Sequence, residues 1–352
     1  MPPAEPWFSP IAQFYKGMEI AVAREWALAE ARSLQINWPP GEPPELWKSV
    51  GDEVIYTKLL TDHRQALTAL NAWMAAVASY RVRLKHQFPS LDLKSTGWIA
   101  GFPVHNAEVF FRSSSLAREL EVDEGDEVYS NLSLLHEYYS EQRDKELTRD
   151  FIGPAIDTGF RLAQLSSPRR LVISVELALM LIHAVRTQPS DERYNYTKPR
   201  FFFSGRHNFK GVFGGLPYPV FWIDMHPSPS LERTEDKLNK LEPLGTDDVL
   251  EFCEAFIKEN SSYCFMPYIY NNVEPAFARV PDHHQERLNS LRDYWESERT
   301  KREVERKSLS QKDDDLDAAG ANSPADDSKA ADELAAWFAE HLREPEQDGD
   351  QE

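Results

Sequence analysis

Asp157 and Arg161 stand four residues apart in Gly153-Pro154-Ala155-Ile156-Asp157-Thr158-Gly159-Phe160-Arg161. On a helix that spacing projects both side chains from one face. Pro154 directly after Gly153 suits a first helical turn, so the segment predicts a helix that opens at Pro154. A guanidinium presented from such a helix could meet the oxygens of a triphosphate. An ordinary surface ion pair between Asp157 and Arg161 fits the same spacing. A second candidate lies in Trp47-Lys48-Ser49-Val50-Gly51-Asp52-Glu53-Val54-Ile55-Tyr56. Lys48, Val50, Val54 and Tyr56 alternate with their neighbours as strands require, and Gly51 suits a tight hairpin turn. Asp52 then sits at the hairpin tip, where a carboxylate could bind a hard cation that keeps waters and takes other ligands from phosphate. Gly-Asp is also a common hairpin turn with no ligand at all.

The elements that would hold these residues follow from periodicity. Asp62 to Phe88 reads as a long amphipathic helix with Leu67, Leu70, Trp73, Met74, Val77 and Val82 on its buried face. Leu93 to Phe102 reads as a strand, residues 103–149 as a charge-rich insertion, and Arg170 to Ser174 as a strand leading into another helix. Pro189, Ser190, Asp191 and Pro199 mark residues 186–200 as a polar connection. Beyond it come strand-like runs around Phe201 and Val220 and a helix from Asp247 to Glu259.

In residues 8–185, the Gly-Asp hairpin, helix, strand, the Phe151-x-Gly153-x-x-x-Asp157-x-x-x-Arg161-Leu162 segment and a further strand resemble, in that order, the class III nucleotidyl cyclases. The resemblance implies an α/β (α+β) fold, a mixed sheet flanked by helices, with a C-terminal extension. It implies that Asp52 is a metal-binding aspartate and Arg161 the transition-state arginine. Asp157 falls where the family has an asparagine that orients the ribose and α-phosphate, and Lys48 and Asp150 fall on the two positions that read the nucleobase edge. It also implies two Mg²⁺ or Mn²⁺ ions per site and a homodimer whose sites combine residues of both protomers. One feature departs: no Asp precedes Asp52, and the family's first metal aspartate would fall near Phe8. The favoured expectation is that the aspartate-bearing strand lies upstream of Met1.

The run from Phe201 to Asp224, with Phe213-Gly214-Gly215 and Pro217-Tyr218-Pro219, resembles the extension of the pyrimidine cyclases of bacterial Pycsar antiphage defence. That implies UTP first and CTP second as substrate, a cyclic 3′,5′-monophosphate as product, and a separate effector that responds to it. Lys48 with Asp150 superficially resembles an adenine reader, so an adenylate cyclase stays open, as does a degenerate cyclase-homology module that binds without turnover.

Composition sets the remaining bounds. A net charge of −19 argues against a nucleic-acid-binding surface, whereas a triphosphate needs only a local positive pocket. The chain shows neither a secretory leader nor an apolar run of the ~18 residues that a membrane helix needs, so the expectation is a cytoplasmic protein with no membrane partner. Cys253 and Cys264 lack metal-ligand spacing and read as buried thiols. His283-His284 reads as a loop pair pointing apart, Ser113-Ser114-Ser115 as loop, and Arg206, His207 and Lys210 as a local basic group. Domains are expected at 1–185, 186–300 and 301–352, the last an acidic and mostly disordered tail except for an amphipathic stretch, Ala330 to Leu342.

Overall fold

A computed structural model describes residues 8–112, 127–140, 147–189, 193, 195–225 and 230–314. Residues 113–115, 190–191 and 330–342, discussed above, lie outside that set. The chain divides into two compact units. One comprises residues up to Ala107 and Ile152–His284, and the other Glu108–Phe151 with the residues from Gln285 onward. The fold is α/β.

The first unit opens with helix α1 (Phe8–Gln35), followed by the hairpin β1 (Glu45–Val50) and β2 (Glu53–Thr57), then α2 (Arg64–Gln87). Asp62 sets the start of α2: its carboxylate accepts the Arg64 backbone N–H at 2.9 Å and the Arg64 guanidinium at 2.7 and 2.8 Å. Met18, Ala21 and Val22 of α1 pack against Ala76, Val77, Tyr80 and Leu84 of α2. Leu67, Leu70 and Val77 are buried as their spacing requires, but Val82 is 74% exposed. At 100° per residue it lies about 140° around the helix from Val77, off the buried stripe.

A four-stranded mixed sheet forms the centre of this unit. Its order is β3 (Thr96–Gly97), β6 (Arg170–Ile173), β8 (Pro217–Asp224), β7 (Phe201–Asn208), with β3 parallel to β6 and the other pairs antiparallel. The strand expected over Leu93–Phe102 is therefore two residues long. After Gly97 the chain leaves the sheet, and Trp98 turns to pack on the helix described below. Strand β8 is buried along nearly its whole length, as a strand covered on both faces must be, and Trp222 stacks on its cross-strand partner Phe202 at 4.3 Å. Since β8 pairs with β6, the sheet crosses the boundary expected near residue 186.

Helix α5 (Val175–Arg186) begins at Ser174, whose side chain accepts the Leu177 N–H. It is buried on nearly every side, which matches its nearly continuous apolar sequence. Helices α6 (Ser230–Leu238), α7 (Thr246–Glu259) and α8 (Pro275–Ala278) complete the unit after the sheet. Cys253 and Cys264 are both buried and unbonded to one another; Cys264 lies 2.9 Å from Glu176 Oε1, and burial pushes both thiols up, so they stay protonated.

In the second unit, β4 (Ala107–Arg112) pairs with β5 (Leu147–Ile152), and α3 (Glu127–Ser140) lies between them in sequence. Phe110, Tyr138 and Leu147 form its small core. Helix α9 (Asp282–Asp314) runs on past Arg302, beyond the point where the composition shifts. Trp295 stacks on Tyr129 at 4.9 Å, Arg302 covers the same ring at 4.0 Å, and Arg299 pairs with Glu303 one turn on. These contacts favour the helix where bulk composition argued for disorder.

His283 and His284 sit in the first turn of α9 rather than on a loop. His105 stacks on Phe265 at 3.5 Å, its ring lies 5.6 Å from that of His283, and the buried His284 meets the Tyr268 hydroxyl. Burial, reinforced by a neighbouring imidazole, pushes His105 and His284 down to about 4. Both are neutral when folded, whereas an unfolded imidazole takes up its proton near ~6.5. Their contribution to stability is thus complete above about pH 6.5 and lost as pH falls toward about 4. The melting temperature should fall over that window, and His105→Phe, which keeps a ring on Phe265, should flatten the slope. Identical pH profiles for the two proteins would remove the histidine cluster as the cause.

Candidate functional site

The pairing of Val50 with Glu53 leaves Gly51 and Asp52 as a two-residue turn. Gly51 has φ of 61°, a left-handed angle that glycine adopts without steric cost. Tyr15 of α1 donates its hydroxyl to the Gly51 carbonyl and so ties the turn to the body. Asp52 is exposed at the tip, as expected. The alternation read from the sequence is interrupted at one place: a bulge between Leu46 and Lys48 shifts the register at Trp47.

That bulged residue meets the segment that carries Asp157 and Arg161. Its ring lies 6.3 Å from Phe160 in helix α4 (Pro154–Leu162), and Lys48 Nζ lies 4.3 Å from the Trp47 ring and 6.0 Å from that of Phe160. An ammonium against an aromatic face is a favourable contact. Phe160 in turn touches Trp98 at 5.8 Å. Trp47, Phe160 and Trp98 thereby form an aromatic run that locates Lys48 relative to α4.

Helix α4 itself begins where Pro154 predicts, with Gly153 before it at φ of 136°. Gly153 offers no side chain to cap the helix. The cap comes from Asn106, whose Oδ1 accepts the Ala155 N–H at 3.1 Å while its Nδ2 donates to the Gly101 carbonyl at 2.9 Å. Ile156 and Leu162 face the core, and Thr158 bonds back to the Pro154 carbonyl at 2.7 Å. Gly159 presses on Trp98; a Cβ there would lie 2.2 Å from the indole. Asp157 and Arg161 emerge on the opposite, exposed face. Among the described residues they form no ion pair with one another, so the plain surface-pair reading of their spacing is not realised.

Lys48 is thus brought beside α4, whereas Asp52 stands at the far end of β1. Asp150 belongs to the second unit, on β5, where its carboxylate accepts the Phe151 N–H at 2.8 Å. Lys58, just after β2, is pushed down to about 8 by burial, an effect that Glu42 and Glu30 partly offset. It donates to the Glu42 carbonyl and lies 4.5 Å from the Trp26 ring, a structural clasp at the base of the hairpin. No group of three or more His, Cys, Asp or Glu side chains that could hold a metal forms among the described residues. Asp52 therefore belongs to no such cluster.

Sequence reasoning missed Trp47, Trp98, Phe160, Asn106 and Tyr15. Trp47 and Phe160 flank two candidates, Lys48 and Arg161, and that adjacency was a usable signal. Asn106 carried none, because its partners lie in two separate segments.

No family model matches the chain, and no curated protein matches it. Among solved structures, the crystal structure of the adenylyl cyclase CyaB from P. aeruginosa aligns over 60% of this chain and 83% of its own, at 12% identity and a TM-score of 0.31. A likeness that loose carries neither fold nor function across.

The Gly159–Trp98 contact yields a direct test. Gly159→Ala should destabilise the protein by about 1–3 kcal/mol through overpacking, read as a lower denaturant midpoint with unchanged slope and a shift in tryptophan emission. A midpoint equal to that of the parent would show that α4 can move off the indole at no cost.

Proposed function

We propose that the chain is a nucleotidyl cyclase that converts a pyrimidine nucleoside triphosphate, UTP before CTP, to its 3′,5′-cyclic monophosphate and pyrophosphate. The observation that carries this reading is the exposed Asp157 and Arg161, not ion-paired with one another, on a helix held at its first turn by Asn106 and at Gly159 by Trp98, with Lys48 beside it near Trp47 and Phe160. A guanidinium without a carboxylate partner among the described residues can donate two parallel hydrogen bonds to phosphate oxygens. The order of elements agrees with the class III cyclase resemblance.

In this reading Arg161 donates to the α- and β-phosphate oxygens as negative charge grows there. Such a preorganised donor stabilises the transition state by roughly 3 kcal/mol. Asp157 accepts a hydrogen bond from the ribose and Lys48 donates to the edge of the base, while Asp150 is assigned to base reading by the cyclase resemblance alone. Asp52 would hold a Mg²⁺ or Mn²⁺ ion, which would supply charge neutralisation at the substrate phosphates. The working unit is a homodimer, in which Asp52 of one protomer serves the same site as Arg161 of its partner. The product acts as a diffusible signal to a separate cyclic-nucleotide-responsive effector in antiphage defence. Preference for a pyrimidine rests on the resemblance of the Phe201–Asp224 run alone.

Incubation with each of the four ribonucleoside triphosphates and Mn²⁺ should yield a cyclic pyrimidine monophosphate. Fastest turnover of ATP would replace the pyrimidine reading with an adenylate cyclase, and binding without turnover would favour the degenerate module. The shared site is tested by mixing. Asp52→Ala and Arg161→Ala should each be nearly inactive, but in a mixed dimer one site carries both lesions and the other neither. Equal mixing with free exchange should restore about a quarter of wild-type activity. No recovery, with exchange confirmed by tag pull-down, rejects the shared-site arrangement.

A further inference from the structure

We propose that Asn106 is the positioning residue of α4, the group that sets where Asp157 and Arg161 point. This inference rests on the cyclase reading for its catalytic consequence, but its structural half stands on its own geometry. Asn106 is 3% exposed and spans two segments distant in sequence, with its amide donating to Gly101 and its carbonyl oxygen accepting from Ala155. A helix leaves its first N–H groups without internal partners, and a side-chain oxygen at that end stabilises it. Here the residue before Pro154 is a glycine, so the cap must come from elsewhere in the chain.

Gly153 also makes room for it. A Cβ at residue 153 would lie 2.6 Å from Asn106 Oδ1 and 2.8 Å from Asn106 Cα. The glycine and the asparagine therefore form one device: the missing side chain at 153 lets the side chain of 106 reach the helix. Asparagine is the neutral residue of this size that offers both a donor and an acceptor from one planar group. Aspartate keeps the acceptor and loses the donor.

The segment from Trp98 to Asn106 thus grips α4 at two points, the indole under Gly159 and the amide at Ala155. The helix has nine residues, and Arg161 lies in its last turn. A change in its tilt set at the first turn is carried directly to the guanidinium. Asn106 touches neither Asp157 nor Arg161 through any contact described above, so its effect on chemistry runs through the placement of the helix.

The test uses the full chain and three proteins: wild type, Asn106→Ala and Asn106→Asp. Amide hydrogen exchange, read by peptide mass spectrometry, should be about 5- to 30-fold faster over residues 155–161 in Asn106→Ala, the factor expected for loss of a helix cap. Asn106→Asp should restore wild-type protection there while amides near Gly101 exchange faster. Turnover should fall in Asn106→Ala with the KM for the triphosphate within about twofold, since misplacing a transition-state donor acts on kcat, and Asn106→Asp should recover most of it. Unchanged exchange over 155–161 in Asn106→Ala overturns the proposal, as does an equal fall in kcat for both variants. Should Asn106→Ala fail to fold, Asn106→Asp decides alone: protection lost at α4 as well as at Gly101 overturns the proposal, and protection kept at α4 supports it. A wild type that turns over no nucleotide defeats the cyclase reading only, because the exchange measurements still decide whether Asn106 holds the helix.

Discussion

The contact between Gly159 and the Trp98 indole is the constraint on which the candidate site depends. A helix carrying any side chain at that position would stand off from the indole. Phe160 would then move away from Trp47, and with it the aromatic face against which Lys48 rests. The contact is possible because Trp98 has left the sheet one residue after β3 ends. A longer β3 would have kept the indole in the sheet's own alternation. The shortness of that strand and the closeness of α4 are thus one fact seen from two sides.

Around this contact the molecule separates rigid support from accessible chemistry. Strand β8 and helix α5 are buried nearly throughout and supply the core against which Leu162 packs. The groups with chemistry to offer, Asp52, Asp157 and Arg161, are exposed at a turn tip and on one helix face. Each is exposed at its end but fixed at its base: the turn by Tyr15, the helix by Asn106 and Trp98. Such an arrangement holds charged groups in water at little desolvation cost while limiting the freedom they must lose on meeting a ligand.

Much of the fold was legible because its signals are local. Pro154 after Gly153 marked the start of α4, Gly51-Asp52 marked the hairpin, and the apolar spacing through Leu67, Leu70 and Val77 marked α2. Where the sequence misled, a contact distant along the chain had overridden a local preference. Arg302 lies in a stretch whose composition argues for disorder, yet it continues a helix because it packs on Tyr129. His283 and His284 are helical because the rings of His105, Phe265 and Tyr268 offer them a place to pack.

By itself the sequence determined the identities and spacings that make the site conceivable: a carboxylate at a glycine turn, and a carboxylate and a guanidinium one helical turn apart. Spacing fixes a shared face, since the geometry of a helix is the same wherever it lies. Only the tertiary structure decided that, among the described residues, Asp157 and Arg161 form no ion pair with one another, that Lys48 lies near the rings of Trp47 and Phe160, and that a buried asparagine caps α4. Those outcomes depend on distances between segments tens of residues apart, set by the packing of a core to which none of these side chains contributes a periodic signal. Pairing and capping are won by whichever partner the fold brings within about 3 Å, and one-dimensional order does not encode that distance.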